Sequence, residues 1–129
     1  MKILFVCRYN RFRSRVAAAY FNKINKNKKI MAKSAGLFKG NPLSPITVKI
    51  AKEQGLDIRG KTKGISSKLL QWQDVTIVVA NDVPPVVFDR NKQYGGKVII
   101  WRIPDVKDTS KAGVKKIIKM IMKKVETLK

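Results

Sequence analysis

The chain has 129 residues, 44% of them hydrophobic, which suits one domain (1–129) built around one core and excludes a disordered chain. A single cysteine excludes an internal disulfide framework and suits a reducing cytoplasm; the apolar N-terminal run, cut short by Arg8, reads as neither a secretory segment nor a membrane span. Lys and Arg number 29 against 8 Asp and Glu, a formal +21, so the surface should draw anions (nucleic acid, an acidic protein partner or a phosphorylated substrate) unless the scattered lysines are simply a solvated face.

In chain order, residues 2–6 read as a buried strand, and 14–27 as a helix with Val16 or Ala17, Tyr20 and Ile24 on one face. Between them lies Cys7-Arg8-Tyr9-Asn10-Arg11-Phe12-Arg13-Ser14. A strand-to-helix loop can curl its N–H groups around one anion, helped by the positive end of the helix dipole. In that setting Cys7 is a candidate sulfur nucleophile, Arg13 a planar fork for two phosphate oxygens, and Ser14 a hydroxyl donor to the sulfur. Asn10 tolerates left-handed backbone and suits a tight bend in a loop that has no glycine. A lone cysteine is commonly only a small buried hydrophobe. The ordered set of strand, Cys, Asn, Arg, Ser and helix is what points to chemistry here.

Residues 30–34 read as a second strand, with Ser34-Ala35-Gly36-Leu37-Phe38-Lys39-Gly40 as a loop at its end. Ser44-Pro45 starts a helix, with Ser44 as its cap and Pro45 at the first helical position, that carries Ile46 and Ile50 and stops at Gly55. A basic connection follows over 56–65, then a short helix over 66–71 and the clearest strand, 74–80, rich in β-branched residues. Pro84-Pro85 precedes a short apolar segment, Tyr94-Gly95-Gly96 is a turn, and Lys97 to Trp101 is a fourth strand. The last helix begins near Thr109 or Ser110 and carries the stripe Val114, Ile117, Ile118, Ile121, Val125 and Leu128, suited to resting on a sheet. Strands alternating with helices imply an α/β fold with a parallel sheet, whose ligands bind beyond the carboxyl ends of the strands. Cys7, Ser34 to Phe38, the segment after Ala80, and Asp105 should then share one rim.

The loop resembles that of the low-molecular-weight protein tyrosine phosphatases, Cys-x5-Arg-Ser near the N-terminus with Asn in the position of Asn10. The resemblance continues in the family's order through Ser34-Ala35-Gly36, Gly55-Leu56-Asp57-Ile58 and Trp101-Arg102-Ile103-Pro104-Asp105. It implies a four-stranded parallel sheet with helices on both faces, a flavodoxin-like three-layer sandwich. The chain departs from the family pattern in having Tyr9 for a usual Gly, Phe12 for a frequent second Cys, and Arg15 for a usual Pro. It also lacks the histidine often found after the second helix, near whose place Lys61 lies.

The resemblance implies a phosphomonoester hydrolase, most naturally a protein tyrosine phosphatase, that forms a phosphocysteine on Cys7 and takes a phosphorylated protein or small aryl phosphate. With no histidine present, a carboxylic acid is the natural candidate to protonate the leaving group. Asp105 follows the fourth strand and matches the family's acid, although Pro104 precedes it where the family's proline follows. Asp108 is the alternative, with capping of the last helix as its simplest role; Asp82 and Asp89 read as ordinary surface carboxylates. Arg8, Tyr9, Asn10, Arg11, Phe12, Ser14 and Phe38 complete the candidate binding set, with Tyr9 and Phe38 as aromatic walls. No cofactor or metal is implied by ligand spacing. Two rivals remain: an arsenate reductase-like protein working with an external thiol, and a basic nucleic-acid-binding module with an unused phosphatase loop, the latter unsupported by any aromatic-basic motif. The oligomeric state is open.

Overall fold

The computed structural model describes residues 1–89, 95–107 and 110–128. Its elements run β1 (Lys2–Cys7), α1 (Arg13–Ile24), β2 (Met31–Gly36), α2 (Pro45–Glu53), α3 (Ser67–Trp72), β3 (Val75–Val79), a 3-10 turn (Pro85–Phe88), β4 (Lys97–Trp101) and α4 (Lys111–Glu126). The four strands form one parallel sheet in the order β2-β1-β3-β4. The chain leaves β1 to one side and returns on the other, so a crevice opens where β1 and β3 end. Cys7 is the last residue of β1, opposite Gly36 of β2.

Alternation along β1 separates two cores. Ile3 and Phe5 face one way, onto Val16, Ala17 and Phe21 of α1, Ile50 and Ala51 of α2, and the stripe of α4. Leu4 and Val6 face the other way, toward Val83 and Phe88, with Leu69, Leu70 and Trp72 of α3 packed against them; Cys7, at the end of the strand, joins this second cluster. The stripe predicted for the last helix is buried at Val114, Ile117, Ile118, Ile121 and Val125. Each fully buried side chain of this size contributes about 1.5–3 kcal/mol. α4 begins behind Ser110, whose hydroxyl accepts from the Gly113 N–H at 3.1 Å. Asp108 and Thr109 lie outside the described residues, as does Tyr94 of the expected turn.

Four local expectations are corrected. α1 ends at Ile24, and its buried face is completed by Phe21. β2 runs through Ser34-Ala35-Gly36, because these residues pair with Phe5, Val6 and Cys7. α2 buries Thr47, Ile50 and Ala51 and leaves Ile46 exposed, in the first turn of the helix. Ser44 precedes α2 without a side-chain cap bond; instead the Thr47 hydroxyl donates to the Ser44 carbonyl at 3.0 Å.

Candidate active site

The segment from Cys7 to Ser14 folds into a cup because its carbonyls are pulled outward. Those of Cys7, Arg8 and Tyr9 accept from the N–H groups of Leu37, Phe38 and Gly40 at 2.8, 2.9 and 3.1 Å. The Asn10 carbonyl accepts from Arg15 Nε at 2.7 Å. Among the described residues, no protein acceptor engages the backbone N–H groups from Arg8 to Arg13. α1 itself starts with neither a side-chain cap nor an acid in its first turn. A run of unclaimed donors at a helix N-terminus is what a tetrahedral anion requires. The bend is made at Asn10, the one non-glycine residue with positive φ (56°) among those described. Gly36 lets the loop pass over β2, since a Cβ there would lie 2.6 Å from Asn10 N and Tyr9 C.

Beneath the cup is a buried polar chain. Asn10 Nδ2 donates to the hydroxyls of Ser14 at 2.9 Å and Ser34 at 3.0 Å, while its Oδ1 accepts from the Lys63 backbone N–H at 3.1 Å. Ser14 Oγ stands 3.1 Å from Cys7 Sγ. With Asn10 donating to it, Ser14 keeps its own proton for the sulfur, so the chain orients a hydrogen bond onto Cys7.

Arg13 is buried at 3% exposure and pinned. Nη1 donates to the Ile103 carbonyl at 3.0 Å and Nη2 to Asp82 Oδ1 at 2.9 Å, while Nε lies 3.9 Å from Asp105 Oδ1. Two of five donors are thus committed to the protein in hydrogen bonds, which fixes the plane and leaves the rest for a ligand. Asp82, read from sequence as an ordinary surface carboxylate, is instead the anchor of this guanidinium; its place just beyond β3, on the rim that holds Cys7, was the available signal. Asp89 is exposed as expected.

A cleft of about 170 Å³ is lined by Cys7, Tyr9, Arg11, Phe12, Arg13 and Asp105, joined by Ser44, Thr47 and Val106. Asp105 is exposed, and its Oδ1 accepts from the Val106 N–H at 2.8 Å. Asn10 and Ser14 lie under the loop rather than in the cleft wall. Arg8 reaches the Asp82 carbonyl at 3.2 Å and stacks over the Tyr9 ring at 5.5 Å. Phe38 does not line the cleft; it stands behind Tyr9, ring centroids 6.1 Å apart, with half its surface exposed. Among the described residues no group of His, Cys, Asp and Glu could hold a metal ion.

Arg15 replaces the family's usual proline with a clamp. Besides the Asn10 carbonyl it reaches those of Ile58, at 3.1 Å, and Lys61. Burial lowers its pKa from the ordinary arginine value, an effect the nearby Cys7 opposes.

The model of the low molecular weight phosphotyrosine protein phosphatase family matches residues 2–129. The chain belongs to that family, and its phosphatase class and α/β fold are the family's. A low molecular weight protein tyrosine phosphatase from T. tengcongensis is similar in structure, with a TM-score of 0.85 and 26% identity over 99% of this chain and 97% of that one. A protein tyrosine phosphatase from Entamoeba histolytica, solved with Hepes in its active site, gives a TM-score of 0.86 and 25% identity over 99% of this chain and 94% of that one. The YwlE arginine phosphatase from Geobacillus stearothermophilus shares the fold, with a TM-score of 0.84 and 20% identity over 98% of this chain and 89% of that one. No curated protein sequence matches the chain.

Proposed function

We propose that the cleft hydrolyses aryl phosphates, phosphotyrosine in proteins foremost, through a phosphocysteine on Cys7. The observation that carries this reading is the cup itself: unclaimed N–H groups from Arg8 to Arg13 at the N-terminus of α1, with Cys7 Sγ at its base 3.1 Å from Ser14 Oγ. In the first step Sγ attacks phosphorus, the S–P bond forms, and the ester P–O bond breaks while Asp105 gives its proton to the leaving oxygen. In the second, water attacks phosphorus, Asp105 takes the water's proton, and the S–P bond breaks to release inorganic phosphate. Arg13 and the loop amides carry the charge of the transferring group in both steps.

Asp105 suits the acid's role because it lines the cleft beside Arg13 with an exposed carboxyl. Asp82 is less suited, since its oxygen is spent on holding Arg13. Tyr9 suits a flat leaving group, its ring held in place by contacts with Phe38 and Arg8. The test is turnover of nitrophenyl phosphate by the wild type and by Cys7→Ser. The reading requires activity in the first and loss of at least about 10³-fold in the second, an effect of the size seen when a nucleophile is removed. Comparable activity in both would refute it.

A further inference from the structure

A second groove, of about 660 Å³, lies beside the cleft. The two are joined by the first turn of α2 and the residues just before it: Leu43 and Val48 line the groove, whereas Ser44 and Thr47 line the cleft. They also share the phosphate-binding loop. Tyr9, in the cleft wall, accepts from the Gly40 N–H at 3.1 Å, and Arg11 donates to the Pro42 carbonyl at 2.8 Å; Gly40 and Pro42 both line the groove.

The groove combines an apolar surface, Pro42, Leu43 and Val48, with the cations Lys39, Arg59 and Lys61, and among the described residues no acidic one lines it. Arg59 is spent: both Asp57 oxygens accept from it at 2.9 Å, and that pairing holds the Asp57 pKa at about 2. Lys39 and Lys61 have no carboxylate partner among the described residues, leaving a local excess of two positive charges. The walls are already fixed. Thr62 Oγ1 donates to the Gly40 carbonyl at 2.6 Å, and Arg15 holds the carbonyls of Ile58 and Lys61. A ligand settling here therefore orders little new chain.

We infer that this groove is a second substrate subsite that receives an acidic side chain flanking the phosphorylated residue, Lys39 and Lys61 pairing with its carboxylate while its backbone rests on Pro42, Leu43 and Val48. The inference rests on the proposed reading of the cleft as a phosphotyrosine site. Solvent exposure keeps each ion pair weak, so the two together should give roughly a five- to tenfold preference. The chemistry selects against a cationic neighbour as strongly as it selects for an acidic one.

The test uses peptides carrying a non-hydrolysable phosphonate analogue of phosphotyrosine, so that binding is read without turnover. Peptides with Glu, Ala or Lys one to four residues to either side are titrated calorimetrically against the wild type, Lys39→Ala/Lys61→Ala and Lys39→Glu/Lys61→Glu. The expected result is a five- to tenfold tighter Kd for a Glu peptide than for its Ala counterpart in the wild type. That ratio should fall near unity in the alanine variant and invert in favour of Lys in the glutamate variant. Equal affinities in the wild type, or a Glu preference that survives in both variants, would overturn the subsite. Failure of the wild type to hydrolyse nitrophenyl phosphate would instead overturn the reading of the cleft, whatever the binding ratios.

Discussion

The residue that sets the geometry of the site is Asn10. Its side chain is buried, its φ is 56°, and it bonds Ser14, Ser34 and the backbone of Lys63 together. Asn10→Ala would keep the left-handed backbone without the residue suited to it and would strand the buried Ser14 hydroxyl, the half-buried Ser34 hydroxyl and the Lys63 N–H. It should cost roughly 2–4 kcal/mol, read as a fall in the midpoint of urea unfolding. A loss under about 1 kcal/mol would show that the chain of hydrogen bonds is not structural. Ser14→Ala leaves the backbone alone and removes the hydroxyl from Cys7; kcat should fall about tenfold or more, the value of one hydrogen bond to a charged group, with KM less affected. Asp105→Asn should slow hydrolysis of alkyl phosphates, whose leaving groups need a proton, far more than that of nitrophenyl phosphate. Equal losses on both substrates, or a larger discrimination by Asp82→Asn, would move the acid elsewhere.

At the scale of elements, the tie between the Cys7–Ser14 loop and the 58–61 segment is Arg15. Neither charge nor spacing announced it, because an arginine among Arg8, Arg11 and Arg13 carries no local pattern; only the fold brings the carbonyls of Asn10, Ile58 and Lys61 within reach of one guanidinium. Arg15→Lys keeps a cation but not the planar fork, so it should raise KM for aryl phosphates about three- to tenfold, a loss of about 1 kcal/mol in positioning, and Arg15→Ala more. An unchanged KM in both would reduce Arg15 to a surface cation. Asp82 was hidden in the same way: its partner Arg13 is 69 residues distant in sequence. By contrast, the loop from Cys7 to Ser14 was legible as a unit, since strand, bend and helix are consecutive and each has its own local signal. The strands read well where β-branched residues cluster, as in β3 and β4. They read short in β2, where Ser34-Ala35-Gly36 has turn composition and is held extended by β1. Ile46 misled because spacing alone places it near Ile50, yet at the first turn of α2 nothing covers it.

For the whole molecule the issue is charge. A chain with 29 basic and 8 acidic side chains folds against its own repulsion. Lys63 shows the local effect: burial, then Lys33 and Arg15, push its pKa below the ordinary lysine value. Between that lowered value and 10.5 the unfolded chain binds more protons than the folded one, so this group makes stability rise with pH; at neutral pH its penalty applies in full. Lys63 keeps much of its surface in solvent, which screens most of this penalty, so Lys63→Met should raise Tm only slightly, by roughly 1 °C. A lower Tm would mean that the ammonium has a favourable partner. The same excess charge should steer anions over about 8 Å at physiological salt. For acid-flanked phosphopeptides kcat/KM should fall as salt rises while kcat changes less, and small aryl phosphates should respond more weakly. Parallel responses would leave the bulk charge without a role in substrate choice.

Every step assigned to the cleft passes through a phosphorus–sulfur bond at Cys7, and rapid quench of the Asp105→Asn variant with nitrophenyl phosphate addresses that bond. This leaving group departs without help, whereas hydrolysis of the intermediate still needs a base, so the phosphoenzyme should accumulate. The prediction is a burst of nitrophenolate equivalent to about one per enzyme, with the phosphate recovered by mass spectrometry on the peptide containing Cys7. Phosphate on any other residue, or a burst that persists in Cys7→Ser, would contradict the account.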